Sequence, residues 1–338
     1  MTYWHLIDMF GGGSLVTENS PSSFYYPEYA TRAELYKFVD DELTAITPEL
    51  KTPKSNEAYR VDQAAAWMLQ AKLYMNSQVY IGTDNYAAAV PLINKVISSG
   101  YAIHDNYNEL FLADNDKNGA QNEFIFAIAF DGLHTQTYGG TTFLTHAPVG
   151  GSMPVDAFGI SGGWAGIRTT AAFVDKFSDN TSDARGQFYT DGQTKEIVDI
   201  GSFTNGYAVQ KFRNVDVNGV IGTDKSGTFS DSDFPIFRLA DAYLMYAECA
   251  VRGAGGATKA LAKTYVDALR TRANTSTVLE GTLTLDFILD ERSRELHWEG
   301  QRRTDLIRFG KFTGGSYVWP WKGNVSGGAP TQSYRNLF

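Results

Sequence analysis

Apolar positions along the first hundred residues recur at helical spacing. Trp4, Leu6, Ile7 and Phe10 close an amphipathic helix over residues 1–10, which Gly11-Gly12-Gly13 stops. Residues 14–30, rich in Ser, Pro and Tyr, read as a loop. Thr31-Arg32-Ala33-Glu34 is a capping box: a hydroxyl caps the first turn while a Glu reaches back. Leu35, Val39, Leu43 and Ile46 then share one helical face, and Pro48 and Pro53 end that helix. A second helix is predicted from about Val61 to Asn76, with Ala65, Ala66, Leu69 and Leu73 facing inward. A third spans about Asn85 to Ser98, where Pro91 is expected to cost a hydrogen bond or a kink. The small residues of these two helices suit close antiparallel packing of the tetratricopeptide kind. One or two such pairs are too few to stand alone, so the rest of the chain must cover them.

The texture changes over residues 101–230. Phe124 to Phe130 is a strand candidate, and Asp131 to Arg168 a long loop crowded with Gly, Thr and aromatics. Loops of that length inside a compact chain are usually functional or disordered. Thr170 to Phe177 suits a short helix, and residues 186–230 alternate Gly, aromatic and polar positions as hairpins do. Helices return at about Phe234 to Val251, Thr258 to Ala273 and Leu285 to Arg303, and residues 310–338 are loop-like. The expected architecture is mainly α, a tetratricopeptide-like scaffold with a loop-rich, minor-β ligand-binding region. It divides into helices over 1–100, a variable region over 101–230, C-terminal helices over 231–312 and a tail over 313–338.

The 338 residues are 43% hydrophobic and 20% charged, a globular composition. A net charge of -9 argues against a phosphate-backbone binder, which needs a basic surface, and leaves small neutral ligands open. Aromatics reach 14%, and several stand in Gly-rich stretches. Such rings suit sugars, whose C–H faces are apolar and whose edges are polar. Cys249, the single cysteine, allows no intrachain disulfide and sits in an apolar helical pattern, as a small buried hydrophobe would. No apolar run approaches the ~18 residues needed to span a bilayer. Met1 opens directly into what reads as the middle of a helix, with no secretory signal before it.

Candidate chemistry is sparse. Asp114-Asn115-Asp116-Lys117-Asn118-Gly119 resembles the start of an EF-hand loop, but Ile125 stands where a bidentate Glu is needed. That leaves an ordinary polar turn as the main reading and a structural Ca2+ near Asp114, Asp116 and Asn118 as the alternative; no other cofactor is expected. The five histidines show no zinc spacing. Asp131 with His134 or His146 could serve a hydrolase, yet no nucleophile elbow accompanies them. Glu291, Arg292, Glu295, Glu299, Arg302, Arg303 and Asp305 are spaced for ion pairs along a helix, such as Glu299 with Arg302 or Arg303. Trp164, flanked by Gly162-Gly163 and Gly166, has little local cover and is the foremost candidate ligand platform. Tyr138 and Phe143 follow, then Tyr25, Tyr26, Trp319 and Trp321.

Three C-terminal blocks, in order and spacing, resemble the SusD/RagB family of outer-membrane nutrient-binding lipoproteins. They are Phe234 to Ala250, Asp267 to Asn274 and Asp290 to Lys311. The Asp8-Met9-Phe10-Gly11 segment followed by Leu15-Val16-Thr17-Glu18, and Phe173 to Arg185 with Asp183-Ala184-Arg185, are similar to further family segments. The resemblance implies a surface protein that captures oligosaccharide, without covalent chemistry, and delivers it to a SusC/RagA-like TonB-dependent transporter. Peptide binding of the RagB kind is the alternative, and a hydrolase using loop 131–146 a more distant one. The resemblance also implies an outer-membrane, surface-exposed lipoprotein in the full-length form, so this chain is expected to be a piece trimmed at both ends. It places the ligand site in the 131–168 loop, with Trp164, Tyr138, Phe143, Asp131 and His134 as candidates.

Overall fold

The computed structural model describes residues 1–177 and 182–332. The segment Phe173 to Arg185 and the tail over 313–338 therefore lie partly outside the described residues. The chain begins with α1 (Thr2–Phe10), which ends on Gly11 at φ 74°. The strands β1 (Gly12–Ser14) and β2 (Tyr29–Thr31) pair antiparallel around the first loop. Next comes α2 (Arg32–Ile46), whose capping box forms as read: Thr31 Oγ1 accepts from the Glu34 N–H, and Thr31 N–H donates to Glu34 Oε2 at 2.8 Å. Then follow α3 (Gln63–Met75), α4 (Ser77–Ile81) and α5 (Tyr86–Ile97), the last passing through Pro91. After β3 (Phe124–Ile128) come α6 (Gly140–His146), α7 (Ala171–Val174), and the two-residue strands β4 (Phe188–Tyr189) and β5 (Ala208–Val209). The C-terminal part holds β6 (Phe234–Arg238), α8 (Leu239–Val251), α9 (Lys259–Arg272), α10 (Leu285–Leu296) and α11 (Arg302–Arg308).

The main core is helical. α3 packs on α5, α5 on α8, and α8 on both α9 and α10. Ala64, Ala65, Ala66 and Ala71 on α3 and Ala240, Ala242 and Ala247 on α8 are buried, which lets the helix axes approach closely. Leu69, Leu73, Met68 and Leu244 fill the space between, each contributing about 1.5–3 kcal/mol of burial. Cys249 is part of this core, 3.4 Å from Met75 Sδ, and burial pushes its thiol up to about 12, so it is a packing residue.

Four sequence readings change. The block from Phe234 begins as a strand: Phe234–Arg238 pairs antiparallel with β3, because Pro235 disfavours a helix and the alternating side chains fit a sheet. The predicted helix over 285–303 splits into α10 and α11, because Trp298 and Gly300 adopt φ 61° and 74°. The loop over 131–168 holds α6 and a 3-10 turn at Val155–Phe158. Hairpins over 186–230 reduce to the β4–β5 pair and isolated bridges.

The charged residues of the C-terminal blocks are buried, and their pairing is tertiary rather than along one helix. Glu299 accepts from Arg238 Nε at 2.6 Å and from Lys211 Nζ at 2.6 Å, not from Arg302 or Arg303 as its spacing suggests. Arg238, delivered by β6 to the start of α8, also meets Glu123 at 2.9 Å and Glu295 at 2.6 Å. Arg185 bridges Asp183 and Glu291 at 2.7 and 2.8 Å. A second group joins Arg292 to Asp241 and Asp305, and Arg308 to Asp305 and Glu248, all within 2.9 Å. Each guanidinium fork satisfies several acceptors at once, which is what burying it requires.

This network sets an acid limit on the fold. Burial would raise the Glu291 carboxyl, but Arg185, then Arg294 and Arg270, more than reverse that and hold it at about 2. Glu295, Asp241 and Asp305 are held low for the same reason. A depressed carboxylate stabilises the fold above its unfolded value near 4.3 and loses that contribution as pH falls through the folded value. Asp233 has the opposite sign: burial raises it to about 6, so its protonation favours the folded state between about pH 6 and 4. The thermal midpoint is expected to fall steeply between about pH 4 and 2, with about 3 kcal/mol of stability lost at Glu291 alone. Calorimetry across that range checks it; a flat midpoint down to pH 2.5 would contradict the assignment.

Candidate functional site

The segment from Asp131 to Ile167 is a rigid frame despite its length. Asp131 Oδ1 accepts from the N–H groups of Leu133 at 2.8 Å and His134 at 3.2 Å, which folds the entry turn. Its other oxygen meets His134 Nδ1 at 2.8 Å. The His134 side chain, then the Leu133 N–H, hold the Asp131 carboxyl below the ordinary carboxylate range. Gly140 starts α6 at φ 57°, where a Cβ would lie 2.1 Å from the Phe130 ring. α6 buries Thr141, Thr142, Thr145 and His146 and leaves Phe143 partly exposed.

The glycine-flanked Trp164 loop folds back on the chain just after α6. Trp164 N–H donates to the His146 carbonyl, Ala165 N–H to Val149 and Gly166 N–H to Ala147, each at 2.9 Å. Gly163 is obligatory there, since a Cβ would come within 2.1 Å of the Val149 carbonyl oxygen. The His146 ring lies parallel to the Trp164 indole, centroids 5.1 Å apart at 24°. Its Nδ1–H donates to the Gly162 carbonyl at 2.7 Å, which assigns the tautomer. The indole is thereby fixed from behind.

Three rings meet on the open side. Phe143 stands 6.0 Å from Trp164 and Tyr138 6.4 Å, both tilted by more than 50°. Trp164 is 43% exposed, Tyr138 66% and Phe143 40%. Sequence reasoning named these three but missed Phe229, 5.4 Å from Tyr138, and the backing role of His146. Neither carries a local signal: Phe229 is ninety residues away in sequence, and His146 reads as one isolated histidine. Asp131 and His134 pair with each other and make no hydrogen bond or ring contact with the three aromatics. Among the described residues neither His134 nor His146 holds a hydroxyl or thiol, so no activated nucleophile is assembled.

The other candidates lie elsewhere. Tyr26 is fully projecting and packs edge-on against Phe24, while the Tyr25 hydroxyl is buried without a partner. Trp321 donates to the Ile197 carbonyl at 3.1 Å, and Trp319 packs with Phe312 and Tyr317. At the calcium-like turn, Asp114 accepts from the Asn118 amide at 3.2 Å and Asp116 faces Lys117 at 3.7 Å. No three His, Cys, Asp or Glu side chains gather as a metal cluster among the described residues. Among the same residues no helix is long and apolar enough to cross a membrane.

The SusD family model matches residues 185–336, the stretch that holds Arg185, Arg238, Glu291, Glu295 and Glu299. The starch-binding protein SusD of Bacteroides thetaiotaomicron is 34% identical over 382 residues, covering 99% of this chain and 67% of that protein. The chain belongs to the SusD family. A second SusD relative, the SusD-like protein P25 of Formosa agariphila, is 27% identical and covers 92% of the chain, which spans 62% of its length. Among solved structures, the surface glycan-binding protein A from Bacteroides thetaiotaomicron in complex with laminarihexaose superposes with a TM-score of 0.66. That likeness is at 23% identity and covers 99% of this chain and 71% of that one. SusD relatives are thus described as binding proteins, and the mainly helical fold is theirs. The chain spans about two thirds of the length of the two sequence relatives.

Proposed function

We propose that this chain captures oligosaccharide at the cell surface by stacking sugar faces on Trp164, Tyr138 and Phe143. The observation that carries the reading is the convergence of three partly exposed rings on a frame locked by His146 and the Gly163 turn. Rigid rings on a preformed frame lose little entropy when a sugar docks. Asp131 and His134 at the frame's entry would hydrogen-bond sugar edges. Relatives described as starch-binding, or solved with laminarihexaose, support a neutral glucan as the ligand.

Delivery to a SusC/RagA-like TonB-dependent transporter at the outer membrane, from a lipid-anchored full-length form, completes the proposal. It is supported by family membership and by the first loop, where Phe24 and Tyr26 are each 85% exposed and Tyr29 68%. Large apolar side chains left open in this way mark contact surfaces. No bound metal is required for stacking, and a calcium ion at Asp114 would be structural.

The reading is tested by titrating the folded chain with a starch-type and a laminarin-type oligosaccharide and with a peptide digest, following tryptophan fluorescence and heat. A saturable response to a neutral glucan is expected. A response to peptides alone, or none, would overturn it.

A further inference from the structure

A cavity of about 420 Å³ opens on the far side of the α10–α11 break, between α7, α10, α11 and the tail. It contains none of the residues of the Trp164 platform. Phe173, Trp298, Phe312, Tyr317 and Trp319 form its walls. Trp298 holds φ 61° there, a left-handed conformation that strains a bulky residue and concentrates at ligand sites.

Several donors that line this cavity make no hydrogen bond within the described residues. The indole N–H groups of Trp298 and Trp319 have no acceptor among the described residues. Thr169, which lines the cavity and is 6% exposed, has a side-chain oxygen with no hydrogen-bond partner. The cations nearby are mostly neutralised: Lys176 pairs with Asp290, and Arg292 with Asp241 and Asp305. Arg303 faces Asp8 at 3.9 Å. Arg302 differs. Its guanidinium donates to the Leu289 carbonyl at 2.9 Å and the Tyr317 hydroxyl at 3.0 Å, and it has no carboxylate partner among the described residues. A chain of net charge -9 thus carries an aromatic cavity with one uncompensated cation and spare N–H donors.

We propose that this cavity is a second binding site, for an anionic sugar unit. The ring would lie against Trp298 and Trp319, and its carboxylate or sulfate would face Arg302, with Thr169 on a hydroxyl. Planar guanidinium and indole N–H groups match the acceptor-only carboxylate or sulfate of such a sugar, and an anion there gains from low local dielectric. The site differs from the Trp164 platform in charge preference and does not depend on it.

Calorimetric titration with tri-galacturonate, its methyl ester and a 6-sulfated galactose oligosaccharide tests the assignment on wild-type, Arg302→Gln, Trp319→Leu and Trp164→Ala chains, each first shown to melt cooperatively. Acidic sugar is expected to bind at least tenfold more tightly than the ester. That binding should weaken at least tenfold in Arg302→Gln and in Trp319→Leu, and remain within twofold in Trp164→Ala. Binding of the sulfated sugar alone would identify sulfate as the anion and keep the site. Equal affinity for ester and acid, loss in Trp164→Ala alone, no saturation by millimolar ligand, or a crystal structure with the chain's own C-terminal residues filling the cavity would each overturn the proposal. If Arg302→Gln fails to melt cooperatively, Trp319→Leu decides.

Discussion

Replacing Arg238 by leucine is expected to destabilise the fold by about 3–5 kcal/mol, a large share of the about 5–15 kcal/mol that holds a typical domain folded. Arg238 is fully buried and donates to Glu123, Glu295 and Glu299 at once, and also to the Glu295 carbonyl at 2.7 Å. Its removal strands three carboxylates inside the protein, and Arg272 and Lys211 can neutralise only part of that charge. The loss comes less from the bonds themselves than from charge left uncompensated in a low dielectric. Urea unfolding checks it against an exposed control, Asp131→Asn, whose pair with His134 is solvent-screened and should change stability by less than about 1 kcal/mol. A loss below about 1 kcal/mol for Arg238→Leu would mean the network is looser than its geometry.

Trp164→Ala is expected to cost the neutral-glucan affinity at least about 2 kcal/mol, roughly thirtyfold, with little change in melting temperature. The indole is the central ring of the platform, within 6.4 Å of both Tyr138 and Phe143, and nearly half of it faces solvent. Stacking area is therefore lost while little core packing is. Its backbone bonds to the His146 carbonyl do not involve the side chain, so the loop keeps its shape. Calorimetric titration of the two chains with the same glucan measures the difference. Unchanged affinity would move the platform away from this frame, whatever happens at the Arg302 cavity.

Much of the fold was legible in the sequence because its helices are locally encoded. The Thr31–Glu34 box, the Gly11 stop and the alanine-lined faces of α3 and α5 are short-range instructions, and the structure obeys them. The aromatic candidates were legible for a similar reason: glycines beside Trp164 withhold local cover, and that is visible in a few residues. Where the reading slipped, a distant partner had overruled local periodicity. Phe234–Arg238 continues a helical pattern, but β3 was there to pair with it.

Sequence by itself determined the mainly helical class, the family and the aromatic character of the candidate site. Tertiary structure alone decided which charges meet and which rings share a surface. Glu299 sits within helical reach of Arg302 and Arg303 along the chain, yet bonds Arg238 and Lys211, sixty-one and eighty-eight residues away. His146 comes to back Trp164 only because residues 147–163 fold back so that the Trp164 N–H reaches the His146 carbonyl. Helical periodicity is a property of neighbours three and four apart, so one strand of sequence carries it. Charge pairing and ring convergence depend on how separate elements pack, and no local pattern encodes that.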